Sequence, residues 1–152
     1  MNTNPFWFLN TLVTIRVSSM DGQDGVSIIE HRVRQGDSPP LHLHRTEDEI
    51  FHILEGDFRV KVRDAEQPAG PGDILLVPKG IPHTYRAMSS EGGRFLTVTA
   101  RGDFERFLRS MGRPANGSKL PEPAGLPTPE AIHALTTSAA RFGIEIVGPP
   151  LT

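Results

Sequence analysis

Two histidines one residue apart, His42 and His44, are followed by a carboxylate at Glu49, and a third histidine stands at His83. In an extended strand alternate side chains share a face, so His42 and His44 point the same way and can share one ion. Glu49 opens the next apolar run after a short turn at residues 45–48 and can face back toward them. Glu47 and Asp48 compete for the carboxylate role but belong to the turn. Gly72, Pro78 and Gly80 frame the approach to His83. Three neutral imidazoles and one carboxylate suit a divalent transition metal: Fe, Mn, Ni, Co, Cu or Zn. The chain has no cysteine, which excludes disulfides, thiolate metal sites and thiol nucleophiles. Any metal must sit on nitrogen and oxygen.

The elements that carry these residues read as short strands. Gly 15 and Pro 14 in 152 residues make about 19% against a typical sum of roughly 12%, a density of breaks that disfavours long helices. Residues 11–17, 26–33, 49–55, 58–63, 73–77 and 95–100 are β-branched, alternating or apolar runs between turn signals. Strands of this length and spacing predict an antiparallel sandwich or barrel rather than βαβ units. After Gly102 the period changes: Phe104, Phe107, Leu108 and Met111 fall at helical spacing, with Asp103 as the expected cap and Gly112 as the stop. That apolar face is expected as a core or dimer contact. Residues 113–128 contain four prolines and two glycines and predict an extended linker. Thr128 and Pro129 then open a second helix that should run to about Arg141. The expected organisation is a barrel unit over 1–101 with an N-terminal pairing strand, and a helical extension over 102–152 packed on it.

The spacing of the framework glycines extends the signal beyond the four side chains. Gly36, His42, His44, Glu49 and Gly56 match G-x5-H-x-H-x4-E-x6-G at every defined position. Gly72, Pro78, Gly80 and His83 match G-x5-P-x-G-x2-H-x3-N, with Ala87 in place of the final Asn. These are the two cupin motifs, and the chain resembles the small quercetin-dioxygenase-like cupins. The likeness extends to the block at residues 8–16, to Pro39-Pro40-Leu41-His42 and to Phe142-Gly143-Ile144-Glu145. The resemblance implies an all-β double-stranded β-helix (a jelly-roll barrel) with two C-terminal α-helices. It also implies His42, His44, Glu49 and His83 as the ligands of one metal ion.

Around such a centre Phe51, Ile53, Phe58 and Val60 would line an apolar interior, and Tyr85, which shares parity with His83, would enter the same cavity. Arg59, Lys61 and Arg63 alternate with them as a solvated face, and His52 points away from Glu49. His31 and His133 are expected in solvent. The family implies a dioxygenase-type reaction on a small enolisable or aromatic, flavonol-like substrate, with Glu49 as the proton-accepting group. A zinc-type polyketide cyclase or isomerase, and a non-catalytic metal- or ligand-binding cupin, are the alternatives. The net charge of −2 gives no reason to expect nucleic acid or an acidic membrane as a partner. No Lys or Arg precedes Arg16, and the apolar stretch at residues 6–17 is short and interrupted. A cytoplasmic protein is expected. A homodimer is expected too, with Phe6-Trp7-Phe8 as the exposed strand that pairs.

Overall fold

Alternation of apolar and polar residues builds two antiparallel sheets among residues 4–152, the part of the chain described by the computed structural model. The first three residues of the expected 1–101 unit lie outside it. The elements in chain order are β1 (Phe6–Phe8), β2 (Thr11–Val17), β3 (Ser27–Val33), β4 (Leu41–His44), β5 (Glu49–Glu55) and β6 (Phe58–Val62). They continue as β7 (Ala65–Ala69), β8 (Ile74–Val77), β9 (His83–Ala87), β10 (Gly93–Thr99), α1 (Asp103–Met111), β11 (Arg113–Pro114), α2 (Pro129–Arg141) and β12 (Ile144–Gly148). The larger sheet runs β11-β1-β2-β3-β10-β5-β8 and the smaller β12-β4-β9-β6-β7. The all-β jelly-roll barrel with two C-terminal helices is therefore the observed architecture.

Alternation along each strand decides what faces inward. Phe51 and Ile53 of β5, Phe95 of β10, Val33 of β3 and Phe58 and Val60 of β6 meet between the sheets as the barrel core. Strand ends shift by a residue or two where a turn takes over. Asp73, expected in a strand, instead closes a turn: its carboxylate accepts from the Gly70 N–H at 2.7 Å. Gly56 must be glycine, because its φ is +81° and a Cβ there would stand 2.3 Å from the Gly92 carbonyl oxygen.

A second core lies beside the barrel. Val13 and Ile15 of β2, Ile29 of β3, Phe107 and Leu108 of α1, Ala139 of α2 and Ile144 of β12 pack together, with Phe104 and Met111 at its edge. The apolar face of α1 is thus core. The segment from 102 onward also enters both sheets, β11 pairing with β1 and β12 with β4. Strand β1 is consequently bonded on both sides within the chain, to β2 and β11, and its residues are half-buried. The exposed pairing edge expected at Phe6-Trp7-Phe8 is not there.

The helix starts differ from one another. Thr128 caps α2 as expected, its hydroxyl accepting from the Ala131 N–H at 3.1 Å. Asp103 does not cap α1. The cap position is Gly102, at φ +78°, which has no side chain to offer. The group that closes α1 comes from far away in sequence, as described below.

Candidate metal centre

Four side chains converge because three strands begin or end at one mouth of the barrel. His42 and His44 project from β4 in the smaller sheet, His83 opens β9 directly opposite His42, and Glu49 opens β5 in the larger sheet. One ligand atom from each lies within 4.8 Å of all the others. The ring centroids of His42 and His83 stand 4.4 Å apart, and those of His44 and His83 5.4 Å. His44, Glu49 and His83 are buried and His42 is half-buried.

The backbone sets which nitrogen of each ring is bare. The Pro40 carbonyl lies 2.7 Å from His42 Nδ1, and the Ile81 carbonyl 3.0 Å from His83 Nδ1. A carbonyl only accepts, so both Nδ1 atoms carry the proton and both Nε2 atoms face the cluster. His83 Nε2 is 2.9 Å from Glu49 Oε2, and His44 Nε2 is 3.2 Å from the same oxygen. Among the described residues His44 Nδ1 has no hydrogen-bond partner although it is buried, and Nε2 meets Glu49. Imidazole nitrogens gathered around one carboxylate oxygen, with backbone carbonyls orienting two of the rings from behind, suit a cation of the transition series. The residues fit such an ion.

Electrostatics couple the members of the cluster to one another. Burial works against a charged Glu49, but His44 and His83 outweigh it and hold its carboxyl well below the usual range. Burial also works against a charged His44, yet Glu49 and Glu47 overcome it and raise its pKa. His42 is pushed down to about 3, first by burial and then by the neighbouring His83 and His44. It is therefore neutral near pH 7, the form that ligates.

The five side chains expected to line the interior are placed less uniformly. Ile53, Phe58 and Val60 are packed into the barrel core. Phe51 reaches the cluster, its ring centroid 5.9 Å from that of His83. Tyr85 packs against this core, 5.0 Å from Phe95 and 5.8 Å from Phe58. Burial, followed by Asp37 and Glu49, raises its phenol pKa well above the ordinary value.

His52 sits half-buried on the alternate face of β5, and His133 is exposed. His31 is not in solvent. It is buried, its Nε2 is 2.9 Å from Thr97 Oγ1, and its ring stacks 4.7 Å from Phe95. The signal was present: His31 shares parity with Ile29 and Val33, two fully buried residues. Phe104 of α1, expected as a core or dimer contact, stands edge-on to His44 at 5.1 Å. Glu47, one of the two carboxylates in competition with Glu49, accepts from the Arg101, Asp103 and Phe104 N–H groups at 2.8, 3.2 and 2.9 Å. Asp48 accepts from the Lys79 N–H at 2.9 Å.

Comparison with known proteins follows this geometry. The cupin domain model Cupin_2 matches residues 29–99. Quercetin 2,3-dioxygenase of Bacillus subtilis is 33% identical over 112 residues, 72% of this chain and 33% of that protein. Oxalate decarboxylase OxdC of the same organism is 28% identical over 95 residues, 59% of this chain and 24% of that protein. The chain thus spans a third or less of the length of these two relatives. Among solved structures, that of a predicted oxalate decarboxylase from Thermotoga maritima superposes with a TM-score of 0.61 at 20% identity, covering 66% of this chain and 94% of that one. Fold, converging side chains and domain match together show that residues 29–99 of this chain are a cupin domain of the Cupin_2 type.

Proposed function

We propose that the chain is a metal-dependent enzyme of the dioxygenase type acting on a small enolisable substrate, with His42, His44, Glu49 and His83 as ligands of one divalent ion. The observation that carries this reading is the convergence of three imidazoles and one carboxylate within 4.8 Å. The likeness to quercetin 2,3-dioxygenase supports the reaction class. When bound, a divalent ion supplies Lewis acidity that makes an enol or phenol easier to ionise and, if redox-active, an electron path for dioxygen.

The chain's own residues supply the rest. Glu49, ionised and buried, is the group that takes the substrate proton, on the carboxylate oxygen left free of the ion. The backbone carbonyls of Pro40 and Ile81 keep the imidazoles of His42 and His83 in fixed orientation. Phe51 and Phe104 flank the cluster with apolar surface that keeps water away from the reacting atoms. Beside Phe51 the interior is filled by Phe58, Tyr85 and Phe95, with ring centroids 5.0 to 5.8 Å apart. That filling favours a small enolisable compound over a flavonol, approaching past half-buried His42.

The same filling supports a second reading, a non-catalytic cupin that holds a metal or small ligand, and a zinc-type cyclase or isomerase would use the same residues without oxygen. Oxygen uptake with small enolisable compounds and with flavonols, after loading with Fe, Mn, Co or Ni, separates them. Uptake with at least one metal is the expected result. Thermal stabilisation by a compound that is never turned over would replace the enzyme with the binding module. Anaerobic turnover of the zinc form would favour the cyclase. The reading includes a homodimer in the cytoplasm.

A further inference from the structure

The turn at residues 45–48 joins the last ligand of β4 to the first residue of β5, and each of its residues is tied elsewhere in the fold. The Arg45 N–H donates to the Gly143 carbonyl at 2.8 Å. The Thr46 hydroxyl donates to Asp103 Oδ2 at 2.6 Å, and Asp48 holds the Lys79 N–H on the turn that leads to His83. Glu47 is 2% exposed, and its carboxylate takes three backbone N–H groups at the start of α1.

A helix start leaves several N–H groups without partners, and a carboxylate there is favoured by the helix dipole. Burying a charge nevertheless carries a large desolvation cost. A local Ser or Asp would serve α1 at lower cost, but the cap position is Gly102, where a Cβ would meet Ser19 Oγ at 2.5 Å. The two ends of the Glu47 contact explain its use. One end is the turn between His44 and Glu49. The other is the first turn of α1, which presents Phe104 to His44 at 5.1 Å and to His31 at 6.0 Å.

We propose that Glu47 is a positioning residue for the metal centre: it fixes the turn that sets His44 against Glu49 and seats Phe104 on the His44 ring. The proposal rests on reading the four-residue cluster as a metal centre. Glu105 provides the control, because it is also a buried carboxylate bearing on α1. It ties that helix to Ser18 Oγ and the Ser19 N–H, both at 2.7 Å, in the segment that follows β2 rather than in the turn between His44 and Glu49.

The test compares wild type, Glu47→Gln and Glu105→Gln by chelator competition for Co2+ and Zn2+, by the visible spectrum of the Co2+ form, and by thermal melting without metal. Both variants should melt lower. Only Glu47→Gln should bind the ions about 10- to 100-fold more weakly and shift the Co2+ bands. If Glu47→Gln does not fold, Thr46→Val cuts the turn's second bond to α1 and should weaken binding in the same direction. Wild-type affinity and spectrum in the folded Glu47 variant would reduce Glu47 to a helix cap and overturn the proposal. So would an equal loss of affinity in Glu105→Gln. A wild-type protein that binds neither ion would remove the metal reading itself, a result distinct from both.

Discussion

His42, His44 and His83 differ from His31 in what their nitrogens face, although all four lie inside or at the mouth of the barrel. In the first three, ring nitrogens converge on a carboxylate; His31 is closed off by Thr97 and aromatic rings. Burial, only partly opposed by Glu49 and Glu30, lowers the His31 pKa from 6.5 to about 4. The unfolded chain therefore binds a proton in the window between those values that the folded chain refuses. Stability present above pH 6.5 is lost as pH falls toward 4, by about 2 kcal/mol from this one group between pH 7 and pH 5. Urea melts of wild type and His31→Gln at those two pH values check this. The non-titrating variant, which keeps a partner for Thr97, should show the smaller drop by about that amount. Equal drops would mean that His31 titrates alike in both states.

At the scale of elements, β12 is the piece whose removal the site should feel most. It borders β4 along its length, with Ile144 opposite His44 and Ile146 opposite His42, and Ile144 is buried in the second core. Ile144→Ala should cost about 3 kcal/mol through the cavity it leaves, and it should also weaken metal binding because β4 loses its backing. Thr128→Ala is the contrasting change. It removes the α2 cap, should cost about 1 kcal/mol, and should leave metal affinity unchanged. Denaturant melts together with metal titrations read both pairs of effects. Neither β12 nor β11 announces itself locally, since a five-residue and a two-residue strand at the end of helical segments have no alternation long enough to read. By contrast α1 and α2 were legible, because a 3.6-residue apolar period, a Pro at the first position and a Gly after the last turn all act locally. The α1 cap was not, because its donor groups and its acceptor are 54 or more residues apart.

At the scale of the whole molecule, β8 is an edge of the larger sheet and, among the described residues, pairs only with β5. It exposes Ile74 at 67% and Leu76 at 59%. A two-fold axis beside this edge would pair β8 with its own copy in antiparallel fashion and cover those side chains, an isologous contact. The dimer belonging to the functional reading is therefore expected here and not at β1. Sedimentation should give a dimer for wild type and a monomer for Leu76→Glu, while a wild-type monomer would remove the dimer. No helix among the described residues is long and apolar enough to cross a membrane.

The sequence by itself determined the class of fold, the four candidate ligands and the exclusion of thiolate chemistry. Those conclusions rest on alternation, fixed motif spacing and residue type, all properties of short stretches of chain. Only the tertiary structure decided that Glu47 caps α1 and Asp48 holds the Lys79 N–H, that His31 is buried, that Phe104 backs His44, and that the segment after residue 102 enters both sheets. Each of these depends on groups brought together across two sheets and a helix, at separations in sequence where no local periodicity can register.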